Sequence, residues 1–457
     1  MIKKLFSINP ATEEIFGQFL ILTEDELENK INLGHEAFKK WKKVPFSEKK
    51  DLMKRAGKIL LRDKEKFAKT ITLEMGKTIR ESLMEVEKCA TLCEFLAGNA
   101  EAILKKEIIK TEATESYVRF EPLGIIFAIM PWNYPFWQVF RAAVPTLMVG
   151  NTMLLKHASN VPQTSQLIEK IFLNAGFDKG VFQNLLIDSS ISEQVIRHRY
   201  VRGVTLTGSE KAGSVVASLA GKSIKKSILE LGGSDPFIVL EDADIKRAAL
   251  VATSARLSVT GQVCIAAKRF IIHEKIAPQF IQELTKNFKT IKMGNPLLRD
   301  IDMGPLSGKK ILETIENQVN ISAKMGAKII IGGKRIPGKG YFYPPTIVIN
   351  VTKKMPLYFE ETFGPVASVF IVKDDIEAIK IANDTRFGLG ASVWTQNNKR
   401  ANQLIEELES GLVYVNSKVT SNINLPFGGT KMSGYGRELS SYGIKEFVNI
   451  KTVLMKD

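Results

Sequence analysis

The period of the apolar residues changes near residue 123. Before it the period is helical. Phe46-Ser-Glu-Lys is predicted to open a helix with Ser47 as its N-cap. Leu52, Ala56, Ile59 and Leu60 then fall at i, i+4, i+7 and i+8, one apolar face. A second helical stretch covers about residues 78–100 and carries Cys89 and Cys93 one turn apart. No histidine lies near them, so the pair reads as core packing rather than half a metal site.

Beyond 123 short apolar runs alternate with helices. Strands are predicted at Ile125–Met130, Met153–Leu155, Val181–Ile187, Gly203–Thr207 and Ile228–Leu231. Between them lie a helix from Pro162 to Asn174 that stops at Gly176, one near 190–198, and one from Ser209. A second series places strands at Pro236–Leu240, Arg269–Ile272, Val366–Val372, Ala391–Trp394 and Leu412–Val415. This pattern predicts two α/β units with mostly parallel sheets covered on both faces, the first of them Rossmann-like. Ser116–Phe120 and the C-terminal Val448-Asn-Ile-Lys-Thr-Val-Leu alternate with period two but flank neither series neatly. They are expected to need a partner edge, in another subunit.

The nineteen uncharged residues from Pro122 to Phe140 are long enough to span a bilayer. Pro122, Pro131 and Pro135 would break such a helix where no water remains to satisfy the backbone, so the stretch reads as a buried strand and a turn. MIKKLFSINP lacks the apolar centre of a signal peptide, and three cysteines in 457 residues make no disulfide framework; a reducing cytoplasm is expected. The net charge of +15 comes from dispersed Lys-Lys pairs, with no motif for nucleic acid beside them, so its expected use is attraction of small anions.

Four segments carry candidate chemistry. Thr207-Gly-Ser-Glu-Lys-Ala-Gly213 follows a strand and opens a helix, where backbone N–H groups can hold a phosphate or simply begin a helix. Cys264, in Gly261-Gln-Val-Cys-Ile-Ala-Ala, is an activated thiolate or a small buried residue. Glu230 ends an apolar strand, where desolvation would raise its pKa toward that of a useful base; the alternative is a capped strand-end carboxylate. Pro131-Trp-Asn-Tyr-Pro135 clamps Asn133 at a strand's C-terminal end, either as an oxyanion donor or as a structural turn.

PWNYP, TGSEKAG, ELGG, GQVCIA, EETFGPV and PFGGTKMSGYGRE occur in this order across residues 131–438. Together they resemble the signatures of the NAD(P)-dependent aldehyde dehydrogenase superfamily, over nearly the whole chain. The resemblance implies Cys264 as the nucleophile, Asn133 with the Cys264 N–H as oxyanion hole, Glu230 as the deacylation base and Glu438 as a proton-relay residue. It implies Trp132, Lys156, Ser159, Gly208, Ser209, Glu361 and Phe363 as cofactor contacts, and no metal. It also implies a cofactor domain over 1–100 and 123–232, a catalytic domain over 233–434, and a bridging β element over 101–122 and 435–457 that joins a homodimer or homotetramer.

Arg141 and Ser440 match positions resembling substrate-carboxylate contacts of succinate-semialdehyde dehydrogenases, and an arginine can bind a carboxylate bidentately. The chain departs from that pattern at Ser258, where some such enzymes carry a second arginine, and has Ala266 where a redox disulfide would need cysteine. Ser159 stands where NAD-preferring relatives often carry glutamate, which implies NADP, with NAD weaker. The alternatives are a broad-specificity or glyceraldehyde-type enzyme and a non-catalytic binding paralogue.

Overall fold

The computed structural model describes residues 4–456. Ile125–Met130 is apolar at every position and almost wholly buried, because parallel neighbours flank it and helices cover both its faces. Thr152–His157 and Phe182–Asn184 follow on one side, Val201–Thr207 and Lys226–Glu230 on the other, all parallel. Numbered along the chain, these strands run 3-2-1-4-5, the order that opens a ligand crevice where strands 1 and 4 diverge. A two-residue strand, Gly434–Tyr435, returns from the C-terminal region and closes the edge, antiparallel to Lys226–Glu230.

The second sheet has seven strands. Asp235–Val239 lies between Ala267–His273 and Gly390–Trp394; Val366–Val372, Thr346–Ile349 and Lys328–Ile331 extend one side, and Leu412–Val415 the other. Only Lys328–Ile331 runs antiparallel. The chain passes from one sheet to the other across Leu231-Gly-Gly-Ser234, so Glu230 ends a strand of the first and Asp235 begins one of the second. That crossing puts the C-terminal edge of one sheet beside the N-terminal edge of the other.

Several expectations need correction. The helix at Phe46–Arg62 is not capped by Ser47. Pro45, with φ −60° and ψ 152°, occupies the cap and makes no side-chain bond, so Ser47 lies inside the first turn. The fixed proline dihedral starts the helix two residues early. Val181–Ile187 yields only the strand Phe182–Asn184, and the helix near 190–198 is a 3₁₀ turn, Ser189–Ile191, followed by Ser192–Arg197. The two orphan strands are each other's partners: Val448–Met455 pairs antiparallel with Glu115–Pro122 along its whole length, and Glu107–Ile108 completes a three-stranded sheet. The 122–140 stretch forms the strand Ile125–Met130, a turn, and the start of a helix at Trp137–Val149. Among the described residues no helix is long and apolar enough to cross a membrane.

One side chain ties the small sheet to the first large one. Asn151 is fully buried; its Oδ1 accepts from Leu123 N (2.7 Å) and Gly124 N (3.0 Å), and its Nδ2 donates to Phe447 O (2.8 Å). A leucine there would strand two buried N–H groups and a carbonyl, each costing about 1–3 kcal/mol. Asn151→Leu is therefore expected to lose about 3 kcal/mol of stability, read as a lower urea midpoint. An unchanged midpoint would show that water satisfies these groups.

Candidate active site

Helix Ile79–Ile103 begins with a complete capping box, Thr78 with Glu81. Its buried face is apolar except for Ser82 and Glu85, and Glu85 forms a wholly buried ion pair with Lys77. Glu85 Oε1 also accepts from Phe136 N and Trp137 N, both at 2.8 Å, while Lys77 Nζ donates to Asn133 O at 3.2 Å and lies 4.1 Å from the Tyr134 ring centre. The Pro131–Trp137 turn thus hangs from this helix by several charge-assisted bonds. One turn earlier, Glu81 Oε1 accepts from Val259 N at 2.6 Å.

That bond matters because Val259 and Thr260 are left-handed, with φ of 53° and 56°. Two β-branched residues there are strained by about 1–2 kcal/mol each. The loop persists because its neighbours fix it. Arg256, fully buried, donates to Gly261 O (2.5 Å) and Ala267 O (2.9 Å), Thr260 Oγ1 to Gly304 O, and Gln262 Oε1 accepts from Ser307 N. Gly261 has φ +73°, and a Cβ there would come within 2.3 Å of Gly364 O, so no other residue fits. Three residues on stands Cys264.

Asn133 is buried beside it. Its Nδ2 donates one hydrogen to Gln262 O at 2.9 Å, which leaves the second free. Lys268, fully buried, donates to Cys264 O (2.5 Å) and Val263 O (3.0 Å) and lies 3.5 Å from Glu361. Glu361 accepts from Gly233 N at 3.0 Å, and a Cβ on Gly233 would fall 2.6 Å from Cys264 O. Burial pushes the Cys264 thiol up to about 12, against the opposing charges of Arg141 and Lys268.

Glu230 and Glu438 form a second buried group with Arg141. Arg141 Nε makes an ion pair with Glu438, its guanidinium carbon lies 4.5 Å from the Phe427 ring centre, and its Nη2 finds no hydrogen-bond acceptor. Neither oxygen of Glu230 is hydrogen-bonded. Desolvation first, and the Glu438 charge second, hold Glu230 well above the usual carboxylate range; Glu438 is raised by burial and restrained by Arg141. Glu230 is therefore no capped strand-end carboxylate.

A cavity of about 310 Å³ reaches Cys264 and Arg141. Its wall also includes Trp137, Ser258, Lys88, Lys418 and Ser421. Ser440 is not part of that wall; it opens the short helix Ser440–Ile444 and accepts from Tyr442 N. Elsewhere, Ser209 caps helix Glu210–Lys222 at the end of strand Val201–Thr207, and the nearest atom to a Cβ on Gly208 would be 3.5 Å away, so this helix N-terminus is open. Lys156 is buried near the end of Thr152–His157, Ser159 is exposed beyond it, and Trp132 meets Phe363 edge-on at 5.8 Å. Among the described residues no group of three or more His, Cys, Asp or Glu side chains is placed to hold a metal.

Lys77, Glu85, Glu81, Arg256, Lys268, Lys88 and Lys418 were absent from the sequence reading. Glu85 did leave a signal, a carboxylate on the apolar face of a helix between Ser82 and Cys89. Glu81 left one as well, three residues after Thr78 in a capping box; the others left none, since their burial and contacts arise only on folding.

Residues 3–453 match the aldehyde dehydrogenase family. A probable NADP(+) succinate-semialdehyde dehydrogenase of Synechocystis sp. is 47% identical over 447 residues, 98% of each chain. NADP(+) succinate-semialdehyde dehydrogenase 1 of Mycobacterium tuberculosis is 44% identical over 450 residues, again 98% of each. A crystal structure of succinic semialdehyde dehydrogenase from Streptococcus pyogenes with NADP+ superposes with a TM-score of 0.97 at 38% identity, covering 99% of this chain and 100% of the other.

Alkylation offers a direct check on the thiol. With Cys264 protonated in the resting enzyme, iodoacetamide labelling followed by mass spectrometry should accelerate about tenfold per pH unit from about pH 7 to 9, without a plateau. Cys89 and Cys93 are buried, with thiols pushed higher still, and should not compete. A plateau below about pH 8 would mean that the site stabilises the thiolate.

Proposed function

The chain belongs to the aldehyde dehydrogenase family, and from that premise we propose that it oxidises succinate semialdehyde to succinate with NADP. The observation that carries the substrate is the cavity that reaches Cys264 and holds a buried arginine whose Nη2 lacks an acceptor. Relatives at 44–47% identity bear the same activity in their names.

The Cys264 sulfur, once deprotonated, adds to the aldehyde carbon, and the free N–H of Asn133 meets the oxygen that becomes negative. The bound nicotinamide would supply the hydride acceptor for this adduct. The product on Cys264 is a thioester. Glu230, a stronger base because burial raises its pKa, removes a proton from the attacking water; the C–S bond then breaks, the thiolate takes that proton back, and succinate leaves with the thiol restored. Glu438 keeps Arg141 oriented and, through its charge, keeps Glu230 basic. Arg141 therefore serves two ends, substrate carboxylate and catalytic base, so its removal should harm every aldehyde rather than anionic ones alone.

The open helix start at Gly208 and Ser209 fits a pyrophosphate, and Lys156 with exposed Ser159 fits the phosphorylated ribose. Glu361 would take the nicotinamide ribose, and Trp132 and Phe363 would border the ring. On this reading residues 1–100 and 123–232 bind cofactor, 233–434 carry catalysis, and 101–122 with 435–457 bridge a homodimer or homotetramer. The exposed Ile450 and Leu454 on the outer strand Val448–Met455 support that last role, and three free cysteines suit a cytoplasmic enzyme.

Rapid mixing tests the mechanism. Glu230→Gln should give a burst of one NADPH per active site followed by turnover slowed at least about a hundredfold, because hydrolysis needs the base more than acylation does. Steady turnover near wild type would remove Glu230 from the mechanism. Glu438→Gln should lower the pKa that limits kcat, since it removes a negative charge that raises Glu230 and releases Arg141 toward it; an unshifted profile would uncouple the two.

Cofactor choice is tested separately. A glutamate at exposed Ser159 would repel a 2′-phosphate through screened solvent, which supports a change of about tenfold or more rather than the full Coulomb value at contact. Ser159→Glu should lower the ratio of kcat/KM for NADP over NAD by that amount. A wild type that prefers NAD, or an unmoved ratio, would refute the assignment.

A further inference from the structure

The cavity above Cys264 contains more positive charge than its own acids can balance. Its cations are Arg141, Lys88 and Lys418, and its carboxylates are Glu81 and Glu85. Both carboxylates are already committed: Glu85 to Lys77 and two backbone N–H groups, Glu81 to its capping box and Val259 N. Arg141 has Glu438, outside the cavity wall. Among the described residues Lys88 has no carboxylate contact. Its Nζ donates to Ser421 Oγ at 2.5 Å and sits 4.3 Å from the Trp137 ring centre. Glu87, next to it in sequence, faces away and pairs with Lys64. Ser258, where a second arginine would reach the site, turns its hydroxyl back to Ser254 O at 2.6 Å.

An ammonium held between an indole face and a hydroxyl is oriented but not neutralised, and a desolvated charge favours an incoming counter-ion. Resting on the reading of the substrate as a carboxylate-bearing aldehyde, we propose that Lys88, aided by Lys418, is the second carboxylate contact of this site and takes the place of the arginine absent at position 258. Arg141 and Lys88 then receive the substrate's carboxylate together, and Trp137 and Ser421 hold the lysine in place.

The choice of lysine has a consequence that arginine would not. Burial, with the Arg141 charge adding to it, lowers Lys88 to about 8, while Glu85 and Cys89 on its own helix oppose the shift. Lys418 is also lowered by burial and faces Glu81. Below about pH 8 Lys88 is charged and favours the carboxylate; as pH rises through that value the contact is lost. Discrimination between an anionic and a neutral aldehyde should therefore fall in mildly alkaline solution. Titration of Cys264 and Glu230 affects both substrates and cancels in the ratio.

The test measures kcat/KM for succinate semialdehyde and for butanal at about pH 7 and pH 9 in wild type, Lys88→Met, Lys88→Arg and Lys418→Met, with product succinate as a second probe. Losing a charge-assisted contact should lower the succinate-semialdehyde to butanal ratio about tenfold in Lys88→Met at pH 7, and less in Lys418→Met. The wild-type ratio should fall several-fold between the two pH values, that of Lys88→Arg should stay high at both, and that of Lys88→Met should stay low at both. Succinate should raise the Tm of wild type and Lys88→Arg more than that of Lys88→Met, a readout that needs no turnover. A ratio and a succinate shift unchanged by Lys88→Met would overturn the proposal and leave Arg141 as the sole carboxylate contact. A wild type that does not favour succinate semialdehyde over butanal would overturn the substrate reading itself, and this proposal with it.

Discussion

Two carboxylates on one helix hold the two halves of the candidate active site in register. Glu85 and Glu81 are one turn apart on Ile79–Ile103, and each accepts backbone N–H groups from a segment far away in sequence: Glu85 from the turn that carries Asn133, Glu81 from the loop that leads to Cys264. Lys77 neutralises Glu85 and adds a bond to the Asn133 carbonyl. A buried pair of this kind contributes little net stability against an apolar replacement, yet breaking one side costs about 3–5 kcal/mol. Its value here is geometric. The nucleophile and the oxyanion donor come from different sheets, and this common strut, together with the Asn133–Gln262 bond, fixes their separation.

Charge balance is the second constraint. Burial raises the Cys264 thiol and the Glu230 and Glu438 carboxyls, and the Glu438 charge raises Glu230 further. Arg141 works against this for all three. The arrangement keeps a strong nucleophile and a base in reserve. It also explains why the arginine cannot be only a specificity residue: Glu438 would be left buried and unpaired without it, and its effect would pass to Glu230 through their coupled charges.

Much of this was legible in sequence because local chemistry dictated it. The parallel strands are apolar throughout, and Ile125–Met130, Val366–Val372 and Leu412–Val415 begin and end where the pattern placed them. Ser209 is the helix cap its spacing suggested. The ordered motifs led to the family and to Cys264, Glu230 and Asn133. What escaped were relations between distant residues. Two short alternating segments could not announce that they pair with each other across more than 300 residues. Ser47 gave a cap signal that the preceding proline overrode. Lys88 looked like any other lysine in a basic chain, because its burial is created by Trp137 and Ser421.

The cavity and the candidate cofactor residues have no member in common. Trp132, Lys156, Ser159, Gly208, Ser209, Glu361 and Phe363 come mostly from the ends of the first sheet's strands, whereas the cavity wall comes from helix Ile79–Ile103, helix Trp137–Val149, residues 254–266 around Cys264 and the segment around residues 418–427. The two sets meet at the junction where the chain crosses from Glu230 to Asp235: Gly233 N bonds Glu361, and Cys264 O packs against Gly233. Residues that meet aldehyde can thus change without disturbing those that meet cofactor, since the strained loop at Val259–Gly261 and the strut beneath it are shared and the two walls are not. Replacement of an arginine on the Cys264 loop by a lysine on helix Ile79–Ile103 is a change of this kind. It moves a charge from the loop that must stay rigid for chemistry to the helix that already holds it.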